Sequence, residues 1–154
     1  MSNNLSKTKL KKVEEVKVEI KETRKEALRR LFTQNGLVEE DVHKDPRGFV
    51  FIKRSGVDKI VRKQGITVAY DVIKLDLDKD NIDVVLKAVA SMKGKNGDAI
   101  NMMSFGESSN ANLMGGAKNF PVAMAEKRAM ARVVLKMTGF YEQDKVFGEG
   151  EFAE

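Results

Sequence analysis

The sequence predicts an α+β domain: an N-terminal helix, then a core of helix, three-stranded antiparallel β-meander and long helix. Three observations predict it. Thr23-Arg-Lys-Glu26 forms a capping box, in which the threonine oxygen takes a helix N–H and the glutamate reaches back, and Gly36 supplies the stop. From Ile66 to Glu107 the hydrophobic period shortens to that of strands, broken by the turn signals Asp78-Lys-Asp-Asn81 and Lys93-Gly-Lys-Asn-Gly97. Finally, Phe120 to Gly139 reads FPVAMAEKRAMARVVLKMTG, a helix with Pro121 in its first turn and Gly139 just past its end.

Each element follows from local chemistry. Residues 1–22 form a basic arm, polar and lysine-rich to Lys12; further on, Val16, Val18 and Ile20 alternate with Lys17, Glu19 and Lys21. That alternation fits a short strand or the start of a helix equally well. The core domain is expected over 23–141. Its first helix runs from about Arg24 to Asn35, with Leu28, Leu31 and Phe32 on the apolar side. The stretch Leu37 to Gly48 reads as loop with at most one helical turn, and Phe49 to Lys53 as a short strand. Ser55 is placed to cap a helix through about Gln64, with Val57, Ile60 and Val61 facing inward and Gly65 ending it. The runs Ile66–Leu77, Ile82–Met92 and Ala99–Glu107 make the meander, and a Gly/Ser/Asn-rich loop leads into the last helix. Residues 142–154 form an acidic tail; its end, Phe147 to Glu154, holds Phe147 and Phe152 isolated in it, and that composition predicts disorder unless those rings dock on a partner.

Composition narrows the function classes. The chain has 154 residues, enough for one core, and carries a formal charge of +5. The tail holds five acids against Lys145, so the body without it holds 27 basic and 18 acidic residues. A body this basic favours a polyanion, with nucleic acid the first candidate. There is no cysteine, and His43 is the only histidine, so thiolate metal sites, disulfides and Cys–His catalysis have no residues to use. No window approaches eighteen apolar residues, and the N-terminus lacks an apolar signal region, which predicts a cytoplasmic chain without a membrane span, in the host's cytoplasm if the chain is viral.

Sites of specific chemistry fail on inspection. Asp76 to Lys87 resembles a calcium loop only at its start: its sixth position is Asn81, not glycine, and its twelfth is Lys87, where a bidentate glutamate is needed. Gly115-Gly-Ala-Lys118 lacks the upstream glycine and the hydroxyl of a nucleotide-binding loop. Asp71 and Lys74 are expected on opposite faces of a strand, which argues against a metal-dependent nuclease. The expectation is a non-enzymatic protein without a cofactor.

What remains is a cationic constellation. Arg128, Arg132 and Lys136 recur every four residues and rise up one side of the last helix, while Val122, Ala129, Met130, Val133, Val134 and Met137 spread over the rest. If that helix crosses the meander, the seam overlooks a sheet edge. Lys93 and Lys95 add two cations on a hairpin tip, and Lys53, Arg54, Arg62 and Lys63 add a third patch. Spaced cations of this kind suit the backbone of a single strand. Two other readings compete: a solvated face that happens to be basic, and a structural seam that pairs with the acidic tail of a neighbouring copy.

The order helix, meander, long helix, together with Ala-x-Ala-Glu-Lys-Arg-Ala-x-Ala-Arg-x-x-Leu-Lys-x-x-Gly at Ala123 to Gly139, resembles the bacteriophage single-strand annealing proteins. The closest look is to the Sak and Erf kind, grouped with the eukaryotic annealing protein Rad fifty-two. Phe105-Gly-Glu107 and Phe120 to Ala129 carry the likeness too, which covers about residues 49 to 141. The resemblance implies rings or helical filaments that act without ATP, hold single-stranded DNA in a basic groove between hairpin and helix, and serve recombination. It implies Lys127, Arg128, Arg132 and Lys136 as phosphate contacts, with Lys93 and Lys95 at the hairpin. A host or phage single-strand-binding protein or exonuclease is the kind of further partner it implies. The chain departs from longer members in having little beyond the core and few aromatics, so base contacts would fall to Met, Ile, Tyr70 or Phe120. A single-strand protecting protein that coats without pairing is the nearest alternative.

Overall fold

The computed structural model describes residues 22–151. The basic arm, with its Val16–Ile20 alternation, and Phe152 lie outside the described residues. In chain order the elements are α1 (Arg24–Asn35), β1 (Val42–Lys44), β2 (Val50–Ile52), α2 (Arg54–Gln64), β3 (Thr67–Asp76), β4 (Asp83–Lys93), β5 (Ala99–Ser109), α3 (Pro121–Met137) and β6 (Val146–Gly148). The architecture is α+β, with two three-stranded sheets ordered β1-β2-β6 and β3-β4-β5. Among the described residues no helix is long and apolar enough to cross a membrane.

The meander is antiparallel throughout, as its period predicts, with bounds within two residues of those expected. Val84, Leu86, Ala88 and Ala90 of β4 are buried in strict alternation, so one face of the sheet is core and α3 lies across it. The α1 capping box forms, with Glu26 N–H donating to Thr23 Oγ1 at 3.2 Å and Thr23 N–H to Glu26 Oε2 at 3.3 Å. Gly36 closes the helix at φ 68°, a left-handed conformation that glycine adopts without a Cβ penalty.

Four expectations change. The one helical turn allowed in 37–48 forms, as a 3-10 turn at Glu39–Asp41, but it leads into a strand rather than loop: β1 pairs antiparallel with β2. Strands of three residues carry too few positions for a period to show. The acidic tail is ordered through residue 151, because β6 pairs in parallel with β2 and buries Val146 beside Val50. Phe147 does not wait for an outside partner; it packs against Phe49 and Phe51 of the same chain. A bulge between Val72 and Lys74 changes the parity of β3, so Asp71 (opposite Lys87) and Lys74 (opposite Val85) share a face rather than opposing each other.

The fourth change concerns Ser55. Lys53 occupies the N-cap of α2 and makes no side-chain cap bond, while Ser55 Oγ donates to Asp41 Oδ1 at 2.7 Å. Asp41 also accepts from Lys59 Nζ at 2.7 Å and from the Val38 N–H at 2.9 Å. Burial alone would raise its pKa, but these three donors favour the anion and hold it below the ordinary carboxylate value. A depressed folded pKa gives stability that is present above the unfolded value and lost as pH falls through the folded one. We therefore expect Asp41→Asn to lower the urea midpoint at neutral pH and to flatten its fall below about pH 4. Parallel midpoint-against-pH curves for the two proteins would refute this account of the cluster.

Candidate nucleic-acid interface

The cationic seam of α3 lies along the free edge of β5. Arg128 Nη1 donates to the Glu107 carbonyl at 2.8 Å, Arg132 Nη1 to the Phe105 carbonyl at 3.0 Å, and Lys136 Nζ to the Met103 carbonyl at 3.5 Å. Four residues along the helix match two residues back along the strand. The physical reason is a near-equality of steps: four helical residues rise about 6.0 Å, and two strand residues advance about 6.8 Å. Every second carbonyl of an edge strand points away from its neighbour, so a helix with a cation every turn can satisfy the row.

Close approach is needed for this, and Gly106 permits it. A Cβ there would lie 2.2 Å from the Ala125 carbonyl and 2.3 Å from the Ala129 nitrogen. In Phe105-Gly-Glu107, then, the glycine lies beneath the helix and its two neighbours offer carbonyls to the seam. Ser108 Oγ adds a hydrogen bond of 2.6 Å to the Pro121 carbonyl at the start of the helix.

Arg128 corrects the expectation of a phosphate contact. It is only 7% exposed, and its guanidinium also donates to Gly150 O at 3.0 Å, Asn112 Oδ1 at 2.9 Å and Asn112 O at 3.0 Å. Burial, then the neighbouring charge of Arg132, lower its pKa from the ordinary arginine value, with Glu107 opposing. Four of its five N–H donors are spent on protein oxygens. Arg132 pairs with Glu151 at 3.0 Å and Glu107 at 3.4 Å, and Lys127 with Glu149 at 3.6 Å. Tyr141 donates to the same Glu151 carboxylate, and burial followed by that bond raises the pKa of the phenol. Arg132 and its neighbour Lys127 thus pair with acids of the C-terminal segment within one chain, while Arg128 meets that segment at the Gly150 carbonyl. Lys136 alone of the seam stays exposed.

The other predicted cations divide into two groups. Lys53 and Arg54 sit at the start of α2, where Arg54 pairs with Asp58 at 3.1 Å and its N–H donates to Glu149. Arg62 and Lys63 sit at the other end of that helix, about 15 Å away. The chain turns at Gly65 into β3, whose first residue, Thr67, pairs with Ser91, two residues before Lys93. The turn between β4 and β5, closed by Gly97 N–H to Gly94 O at 3.0 Å, carries Lys93 and Lys95 at that same end of the sheet. Arg62, Lys63, Lys93 and Lys95 are all exposed, and none makes an ion pair among the described residues.

At the opposite end of the sheet, about 34 Å along β4, stand Asp76, Asp78, Asp80 and Asp83. Their loop is a turn, with Asn81 N–H on the Asp78 carbonyl at 2.9 Å. Among the described residues no group of three His, Asp or Glu side chains is placed to hold a metal ion. His43 is exposed and stacks on Phe51 at 6.1 Å.

Of the residues expected to meet bases, Tyr70 is half-buried on the core face, its pKa pushed up to about 12 by burial and then by Glu126. Phe120 is exposed, but at the N-terminus of α3, beside the end of β5 that is remote from the four cations. The residue that sequence reasoning missed is Phe105, 44% exposed on the open face of the meander with Lys87 directly across from it; Met103, 50% exposed on the same face, is one of the methionines expected to meet bases. The alternation of β5 carries that signal once the buried positions Gly106 and Ser108 are known. Comparison of the sequence with known protein families and with curated proteins finds no match.

Proposed function

We propose that the protein binds single-stranded DNA through the cationic end of its meander and, as a homo-oligomer, anneals complementary strands in recombination without ATP. The observation that carries this reading is the gathering of Arg62, Lys63, Lys93 and Lys95, exposed and without acidic partners among the described residues, at one end of the sheet. Phe105 and Met103 next to Lys87 supply an apolar, sequence-indifferent surface for bases on the open face. Annealing makes no bond; it requires the repulsion between strands to be neutralised while bases stay free to pair. One domain spans few nucleotides, so a row of copies adds weak contacts through effective concentration. Lacking cysteine, the chain suits a reducing cytoplasm, the host's if it is viral.

The test is oligonucleotide binding followed against salt. Replacing Arg62, Lys63, Lys93 and Lys95 with alanine is expected to leave the circular dichroism unchanged and to reduce the log–log salt slope by about 3, at about 0.7 for each lost phosphate contact. An unchanged slope sinks the assignment. The pairing rate of two complementary oligonucleotides then separates annealing from coating. Tight binding with no acceleration identifies a protein that protects strands without pairing them, and an RNA strand of the same sequence sets the preference between nucleic acids.

A further inference from the structure

We propose that the segment Val13–Lys21 of one copy adds as a fourth strand to the open edge of β3 in the next copy. This rests on the homo-oligomer part of the proposed function and gives it a contact. The two edges of the meander differ: α3 covers the carbonyl row of β5, whereas β3 has no neighbour on its other side among the described residues. Val72, Ile73, Leu75 and Leu77 along that edge are each more than half exposed. Val72 and Leu75 pair with Leu86 and Val84, which are buried beneath the start of α3, so they extend the core face beyond its cover.

The segment VEEVKVEIK matches this edge on both faces. Val16, Val18 and Ile20 fall on one side of a strand and would continue the apolar ledge. On the other side Lys17, Glu19 and Lys21 read plus, minus, plus. The solvent face of β3 carries Asp71, Lys74 and Asp76, which read minus, plus, minus at successive positions because the bulge takes up Ile73. The sign pattern is symmetric, so the match holds for parallel and antiparallel addition alike. Oppositely charged cross-strand neighbours stabilise a pair and like charges destabilise it. Over longer range, residues 1–21 hold six lysines against three acids, and 71–83 hold five acids against two lysines.

The donor belongs to another copy because its own β3 is out of reach. Phe32 of α1 stacks on Phe140, and Arg24 Nε donates to the Asp144 carbonyl, both beyond the C-terminal end of α3. Val72 and Leu75 of the ledge are in line with Gly106 and Ser108, beneath Ala125 and Pro121, about 18–24 Å back along α3 from its C-terminal end. Even fully extended, four residues from Glu22 back to Val18 would reach at most about 14 Å. Donor and acceptor are different surfaces, so the contact is head-to-tail and generates rings or filaments.

Two charge-swapped full-length chains test this by light scattering without DNA: Lys17→Glu with Lys21→Glu, and Asp71→Lys with Asp76→Lys. Each alone brings like charges together and is expected to weaken assembly at least about tenfold. Mixed, each supplies the complement of the other, and assembly is expected to return. Circular dichroism confirms that both fold. A monomeric parent chain, variants that assemble like the parent, or a mixture that stays dissociated overturns the proposal. Rescue without affinity for oligonucleotides would defeat the DNA reading and leave this contact standing; DNA binding with unaltered assembly would do the reverse.

Discussion

Replacing Gly106 by alanine is expected to cost about 3 kcal/mol or more, a large part of the about 5–15 kcal/mol that holds a domain of this size. The new methyl carbon would lie 2.2 Å from the Ala125 carbonyl, 2.3 Å from the Ala129 nitrogen and 2.7 Å from the Ala129 methyl. Two of those three contacts are backbone, so no rotamer change relieves them, and α3 has to move outward. Moving it also lengthens the bonds from Arg128 and Arg132 to the β5 carbonyls, so one methyl opens a whole row of contacts. Urea denaturation reads the result as a collapsed midpoint. Gly116→Ala is the control, since a Cβ there meets nothing within 4 Å, and it should leave the midpoint unmoved. If Gly106→Ala keeps the parent midpoint, the close packing of α3 on β5 is wrong.

The second large effect is expected for Arg128→Ala combined with Arg132→Ala. A seam that lines a DNA groove predicts weaker binding on an intact fold; a seam that caps an edge strand predicts lost stability. The geometry favours the latter by about 3–5 kcal/mol, because the truncation strands the carbonyls of Glu107, Asn112 and Gly150 and leaves Glu151 without its arginine. Arg128→Lys should recover little, since an ammonium cannot reproduce the planar fork that reaches three separate segments. Denaturation midpoints decide between the two accounts. A double variant that keeps its stability while losing affinity for single strands would return the seam to the DNA.

The helices and the meander were legible because their signals are local. Pro121 and Gly139 act through single φ angles, Thr23 and Glu26 through bonds three residues apart, and the alternation of Val84, Leu86, Ala88 and Ala90 through the pleat of one strand. The small sheet was not legible in the same way. Its strands have three residues each, and β6 joins β2 from the far end of the chain, where an acidic composition reads as disorder. What orders that segment is non-local: Val146 buried beside Val50, Gly148 against Ala131, and Glu149 and Glu151 meeting Lys127 and Arg132.

The cations show the same division. Their spacing on α3 follows from residues 128, 132 and 136 alone, and so does their presence on one side of the helix. Their partner does not, because a row of carbonyls and a row of phosphates both ask for positive groups at steps of about 6–7 Å. Only the placement of α3 over Gly106 chooses between them, bringing Arg128 and Arg132 to β5 and leaving Arg62, Lys63, Lys93 and Lys95 in solvent. By itself the sequence determined which elements form and where charge concentrates, since both depend on neighbours a few residues away. The tertiary structure decided which charges are consumed in building the fold and which remain for a partner, since that depends on the distance at which a helix settles on a strand.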